Sequence, residues 1–465
     1  MSFINSILNN LPEVKAPDQK HLPFKTKLIW TFIILIGYFL LGVVPMHGLG
    51  ENGLQNFDFL SIILGAQFGS LISLGIGPIV TASIVLQLLM GSGLLKIDTA
   101  THEGRVFFQG IQKLTSVFFI VFESIIYVFL GGLSPSVGFS PWYLIGQLII
   151  GGLLILYMDE VTNKWGIGSG VSLFIAAGVS SAVFIQAFSP LTTTGTLFAG
   201  SGQAPIGRVL VIFLSLFQGS VESLKTAVIA FSEIAATIIV FLLVVYIQSM
   251  KVEIPLSFGR VRGYGIRWPL KFIYTSNIPV ILVAALLANF QLWARLLESW
   301  GRPLLGTFAG NQPATGFVTW IFPPNLVRNI FAGTFAPIDL GHSAVYALFM
   351  VVGSIIFSIF WVQTSGMDAG AQAKQILGSG LQIPGFRRDA RVLETILKRY
   401  ITPLTVMGGA TVGLLAAIAD ISGALSRGTG ILLAVMIIYK FYEDIAQQHM
   451  MDMNPAMRKF MGGSQ

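Results

Sequence analysis

Two carboxylates, Glu123 and Glu233, fall inside long apolar stretches of this 465-residue sequence. A charge at the centre of a bilayer costs about 2.5–3.5 kcal/mol on insertion scales, so such a residue marks either function or a specific polar contact. Neither has an obvious basic partner within an apolar stretch. Thr81, Gln87, Asn277 and Asn289 add modest polarity in two other stretches. As a coupling pair, Glu123 and Glu233 would suit a secondary transporter. The simpler reading is hydrogen bonding between helices, worth about 1 kcal/mol per contact. Catalysis lacks its parts. The histidines His21, His47, His102, His342 and His449 are scattered, and none lies in an apolar stretch. HExxH, P-loop and G-x-S-x-G patterns are absent. The chain has no cysteine, which removes thiolate chemistry, disulfides and cysteine-based metal sites. The sequence therefore predicts no catalytic residue, no metal site, no cofactor and no enzyme.

The elements that position these residues are membrane helices. The chain is 54% hydrophobic and only 11% charged, against about 25% charged in a soluble domain. Such a surface needs lipid as its solvent. Ten spans are expected, near 28–45, 76–91, 106–131, 142–158, 171–188, 227–249, 271–292, 343–363, 401–419 and 428–443. The net charge of +7 is distributed asymmetrically. If the N-terminus is cytoplasmic, 22 of the 28 Lys and Arg fall on the cytoplasmic side. The positive-inside rule favours that orientation, with both termini inside.

Several stretches are not simple spans. Phe3, Ile4, Ile7, Leu8 and Leu11 share one helical face within 1–12, which predicts a helix lying in the interface. Residues 53–75 are apolar but short, and Gly65, Gly69 and Gly75 interrupt them; both a loop and a re-entrant segment fit. Gly75, Gly77, Gly166, Gly168, Gly170, Gly428 and Gly430 cluster at span starts beside bare aliphatic residues. That pattern suits a closable apolar constriction better than a substrate pocket. Gly-x-Gly recurs before spans five and ten, and Pro78 and Pro279 recur in spans two and seven, as an inverted repeat would produce. The cytoplasmic segments 251–271 and 365–399 are long and basic. They serve either topology alone or the docking of an anionic partner.

The motifs LGIGPIVTASIVLQLLMGSG (74–93), YMDEVTNKWGIGSGVSLFIAAGVS (157–180), FIYTSNIPVILVAAL (272–286) and RYITPLTVMGGATVGLLA (399–416) resemble the SecY family, the central subunit of the Sec protein-translocation channel. LPEVKAP near the N-terminus resembles its archaeal and eukaryotic branch. The resemblance runs in order along nearly the whole chain. It implies an all-α membrane protein of ten transmembrane helices in two inverted halves of five, with a re-entrant plug helix and an N-terminal interfacial helix. It implies a pore ring of Ile76, Val80, Val171, Ile175, Ile281 and Leu433, with a plug at about 56–69. Thr81, Glu123 and Asn289 match the polar cluster at plug and lateral gate, and Arg260, Arg262, Arg387 and Arg388 fall in the ribosome-docking loops.

The resemblance also implies a protein-conducting channel. It would pass unfolded secretory polypeptides and release transmembrane segments sideways into lipid. Its partners would be a SecE-like (gamma) subunit, a Sec-beta-like subunit, the ribosome and its rRNA, and the nascent polypeptide with its signal sequence. Its place would be the cell membrane. The expected organisation is 1–27 N-terminal, 28–188 first half, 189–226 external hinge loop, 227–443 second half and 444–465 cytoplasmic tail. Two alternatives remain at this stage: the secondary transporter, and a scaffold that only gathers partners.

Overall fold

The structure, a computed structural model, describes residues 12–19, 22–52, 61, 64–95, 97, 101–192, 196–198, 203–218, 220–258, 265–310, 312–378, 381–382 and 389–453. Residues 1–11, half of the expected plug interval 56–69, and Arg260, Arg262, Arg387 and Arg388 lie outside them.

In chain order the helices are α1 (Phe24–Val43), α2 (Gly77–Gly91), α3 (His102–Phe129), α4 (Pro141–Trp165), α5 (Gly170–Phe188), α6 (Arg208–Gln218) and α7 (Val221–Ser249). Then come α8 (Ile278–Ser299), α9 (Phe317–Trp320), α10 (Leu326–Ala332), α11 (Pro337–Thr364), α12 (Ala369–Gly378), α13 (Ala390–Ile421) and α14 (Gly428–Met453). Each of the ten expected spans falls on one of these helices. Among the described residues eight helices are long and apolar enough to cross a membrane, and α2 is apolar but shorter. A helix of its 15 residues reaches about 22 Å, less than the roughly 30 Å hydrocarbon core. It tolerates this because most of its side chains are buried in protein.

Helix ends depart from the hydropathy boundaries for a local reason. Apolar content marks only the part facing lipid or core, whereas a helix continues to its cap. Thr101 Oγ1 accepts the Gly104 N–H at the start of α3. Ser220 Oγ caps α7 through the Ser223 N–H, and Asp389 caps α13 through the Arg391 N–H. An unsatisfied first-turn N–H is thereby paired. In α8 the shift is the other way: strand geometry persists to Lys271, and the helix starts only at Ile278 with Pro279 in its first turn. Pro78 holds the same second position in α2. Proline is tolerated there because its missing N–H has no intrahelical partner to lose.

The segments 189–226 and 296–341, expected to be external loops, are more structured than loops. The first contains α6 and the start of α7; the second contains a hairpin, β5 (Thr307–Ala309) with β6 (Gln312–Thr315), followed by α9 and α10. On the other side, β3 (Lys251–Phe258) pairs antiparallel with β4 (Gly265–Lys271) and with β7 (Leu381–Gln382). A further short pair joins β1 (Leu49–Asn52) to β2 (Leu133–Pro135).

The main hydrophobic core runs through α2, α5, α8 and α14, with contributions from α7, α11 and α13. Helix α8 is the most enclosed span and α1 the least, with 72% and 11% of their apolar windows buried. Helix α1 presents Leu28, Phe32, Ile33, Ile36 and Leu40 outward. Such a face is stable only against lipid or another apolar surface.

Candidate functional site

The six aliphatic residues proposed for the ring come from the starts of four helices. Ile76 is the N-cap residue of α2 and Val80 lies one turn in. Val171 and Ile175 occupy the first turns of α5, Ile281 the first turn of α8, and Leu433 the second turn of α14. Ile76, Val80, Ile175, Ile281 and Leu433 are all buried in one apolar cluster, and Val171 packs against it. Branched aliphatic side chains brought together in such a core exclude water and ions, because neither finds a hydrogen-bond partner there.

The described end of the plug interval is seated beside these residues. Leu64 and Ala66 are buried. The Ile76 N–H donates to Leu64 O at 2.7 Å. Tyr38 Oη donates to Gly65 O at 3.0 Å, and the Tyr38 ring stacks on Phe174 at 4.8 Å between centroids. Gly75 makes the close approach possible. Its φ is +55°, and a Cβ there would lie 2.2 Å from Leu64 O. Sequence reasoning missed Tyr38, which sits in span one with nothing but its hydroxyl to set it apart from neighbouring aromatic residues.

The three polar residues meet. Thr81 Oγ1 lies 3.1 Å from Glu123 Oε1 and 2.8 Å from Gly77 O, so its one proton serves either acceptor. Asn289 Nδ2 donates to Thr81 Oγ1 at 3.0 Å. Together they join α2, α3 and α8. The same seam carries a contact of Phe122 with Trp293, 6.0 Å between ring centroids. At the C-terminal ends of α3 and α8, Ser299 Oγ is 2.5 Å from Leu130 O. At the seam's other end Gly91 of α2 meets the ring of Phe360 in α11 so closely that a Cβ would lie 2.4 Å from it. These contacts hold α2 and α3 against α8 and α11.

Glu233 stands apart from this group. Its Oε2 pairs with Arg208 Nε at 2.6 Å. The partner comes from α6, inside the interval 189–226 expected to be an external hinge loop, so Glu233 has a basic partner although none lies within an expected span. Distance along the chain hid it: Arg208 lies outside every apolar stretch. With Glu123 bonded in the seam and Glu233 paired elsewhere, the two carboxylates share no site, and nothing here favours a solute pathway.

The two basic loops, 251–271 and 365–399, converge. Ser257 and Phe258 of one pair with Gln382 and Leu381 of the other. The first loop is thus a β-hairpin whose connecting residues 259–264 include Arg260 and Arg262, and Arg387 follows β7 by five residues. Arg267 stiffens the hairpin from β4 by donating to Glu253 Oε2 at 3.1 Å. That hydrogen bond holds the Glu253 carboxyl below its ordinary range. Beneath the sheet, Ile254 and Leu270 pack on Ile376 of α12 and on Leu393, Leu397 and Ile401 of α13. Tyr274 Oη donates to Met367 O at 2.7 Å. Among the described residues no group of acidic and histidine side chains could hold a metal ion.

The SecY family model matches residues 70–442. The protein translocase subunit SecY of Methanothermobacter thermautotrophicus is 44% identical over 456 residues, covering 97% of each chain. A solved structure described as that of a protein-conducting channel superimposes with a TM-score of 0.82 at 40% identity, over 97% of this chain and 99% of its own. Sec61 from a canine ribosome–channel complex of the endoplasmic reticulum gives 0.79 at 40% identity, with the same coverage. With the model match spanning most of the sequence and a relative above 40% identity along nearly all of it, the chain belongs to the SecY family.

Proposed function

We propose that this chain is the central subunit of a passive protein-conducting channel. It moves unfolded secretory polypeptides across the cell membrane and lets transmembrane segments leave sideways into lipid. The observation that supports the reading is that six branched aliphatic residues, from the starts of four different helices, lie in and against the main apolar core, where we place the waist. Such a ring yields around an extended chain and closes behind it, because dispersion contacts are short-ranged and non-directional. When empty it holds back ions by dewetting. The segment at Leu64–Ala66, bonded to Tyr38 and Ile76, acts as the fixed end of a plug. The seam of Thr81, Glu123 and Asn289 is the lateral gate.

Both termini face the cytoplasm, as the charge asymmetry favours. Energy comes from a bound ribosome, docked on the sheet that joins the two basic loops; the likeness to Sec61 in a ribosome–channel complex supports this. The exposed face of α1 and the other outward apolar helices are covered by lipid and by SecE-like and Sec-beta-like subunits. No residue performs catalysis, and no cofactor is required. The test is electrical. Ile76→Gly, Val80→Gly and Ile281→Gly together should raise ion conductance through the resting, reconstituted channel in planar bilayers. Unchanged conductance would refute the ring.

A further inference from the structure

The two helices that carry ring residues from the ends of their respective halves are anchored in the same way. In the first half, Asp159 on the last turns of α4 accepts the Val171 N–H through Oδ1 at 2.9 Å. In the second half, Asp420 at the end of α13 accepts the Thr429 N–H through Oδ1 at 2.8 Å. Each aspartate belongs to the preceding span, and each bonded amide lies in the first turn of the next. The residue four positions on is Ile175 in α5 and Leu433 in α14. A residue at i+4 stands on the same helix face, one turn further along. The proposed ring side chain therefore sits directly over the anchored amide in both halves.

Packing enforces the relationship. A Cβ on Gly170 would lie 2.6 Å from Asp159 Cα, and one on Gly428 would lie 2.0 Å from the carbonyl carbon of Ala419. Glycine alone lets the new helix start that close to the span that holds it. The second anchor is reinforced. Tyr346 Oη of α11 lies 2.5 Å from Asp420 Oδ2, and the Thr429 hydroxyl donates to the same oxygen. Asp420 and Arg427 interact electrostatically, and the Arg427 guanidinium lies 4.2 Å from the centre of the Phe322 ring. Asp420, Tyr346 and Thr429 are all buried. A carboxylate bonded to a first-turn amide also matches the positive end of the helix dipole.

We infer that Asp159 and Asp420 are the paired positioning residues of the waist, related by the inverted repeat. Each fixes the height and rotation of one ring-bearing helix by holding its first turn. The inference rests on the ring assignment. It assigns no contact between either aspartate and the translocating chain.

The test combines conductance with chemical access. The natural sequence has no cysteine, so Ile175→Cys or Leu433→Cys gives a thiol reagent a single target. Asp159→Ala and Asp420→Ala should raise resting conductance of the assembled, reconstituted complex about fivefold, the population shift expected from one lost hydrogen bond. Asp159→Ala should also speed modification of the thiol introduced by Ile175→Cys, and Asp420→Ala that of the thiol introduced by Leu433→Cys. Asp159→Asn keeps the oxygen acceptor and should restore most of the closure. Should an alanine variant fail to assemble, Gly170→Ala and Gly428→Ala displace the same helix starts and are scored the same way. If the triple glycine ring variant leaks while well-assembled aspartate and glycine variants conduct and label like the parent, the positioning role is overturned and the ring stands. If the ring variant itself does not leak, both readings fall.

Discussion

The Asn289 side-chain amide donates to Thr81 Oγ1 at 3.0 Å, and by that bond α8 is tied to α2 across the seam we propose as the lateral gate. The hydroxyl lies in turn 3.1 Å from the buried Glu123 carboxylate. A polar chain in an otherwise apolar seam gives the gate one preferred register, because a displaced partner would leave a buried oxygen without hydrogen.

Replacing Asn289 with Leu removes the donor and keeps the volume roughly constant. The closed seam should lose about 1 kcal/mol. With cysteines at Phe122 and Trp293, whose rings now sit 6.0 Å apart, cross-linking by a short bifunctional thiol reagent should slow several-fold in Asn289→Leu. An unchanged rate would show that the polar chain does not hold the gate.

Gly75 predicts a larger effect. Its φ of +55° alone penalises an L-residue by about 1–2 kcal/mol. The Cβ would also meet Leu64 O and Ala66 N. Gly75→Ala should unseat the segment at Leu64–Ala66 and raise resting conductance, whereas Gly138→Ala, where a Cβ meets nothing within 4 Å, should not. Equal behaviour of the two would separate the Gly75 turn from closure.

Much of this was legible beforehand, and what was not has physical causes. The ten spans are visible because apolar runs are the one signal a bilayer cannot disguise. The waist residues needed family motifs, since Ile281 looks like any other isoleucine in α8 until its neighbours are placed. Asp420 and Arg208 escaped notice: Asp420 lies at the edge of an apolar stretch and Arg208 outside all of them, where a charge is unremarkable, and each draws its meaning from a partner on another helix. The joining of the two basic loops through β3 and β7 was likewise hidden, because a two-residue strand carries no periodicity.

Arg208 and Glu233 should behave as a coupled pair. Arg208→Ala leaves the largely buried Glu233 carboxylate without its ion-pair partner, which should cost about 1–3 kcal/mol. Thermal unfolding of the detergent-solubilised complex would register it as a lower Tm. Arg208→Ala with Glu233→Gln should recover part of the loss. Strict additivity would deny the coupling.

The docking sheet makes a further prediction. Arg260→Glu with Arg387→Glu should weaken ribosome co-sedimentation, and raised salt should weaken the parent likewise, because contacts to phosphate release counterions. Binding that ignores both changes would reduce these loops to topology determinants.

The central claim is that Val80 and Ile281 face a conduit for an extended polypeptide. A photo-crosslinking side chain at either position, in the complex reconstituted with a stalled, signal-bearing nascent chain, tests it most directly. We predict crosslinks from both positions to the translocating segment and none from Leu40, whose side chain is exposed on the outer face of α1. Crosslinks from Leu40 alone, with positions 80 and 281 silent, would contradict the account.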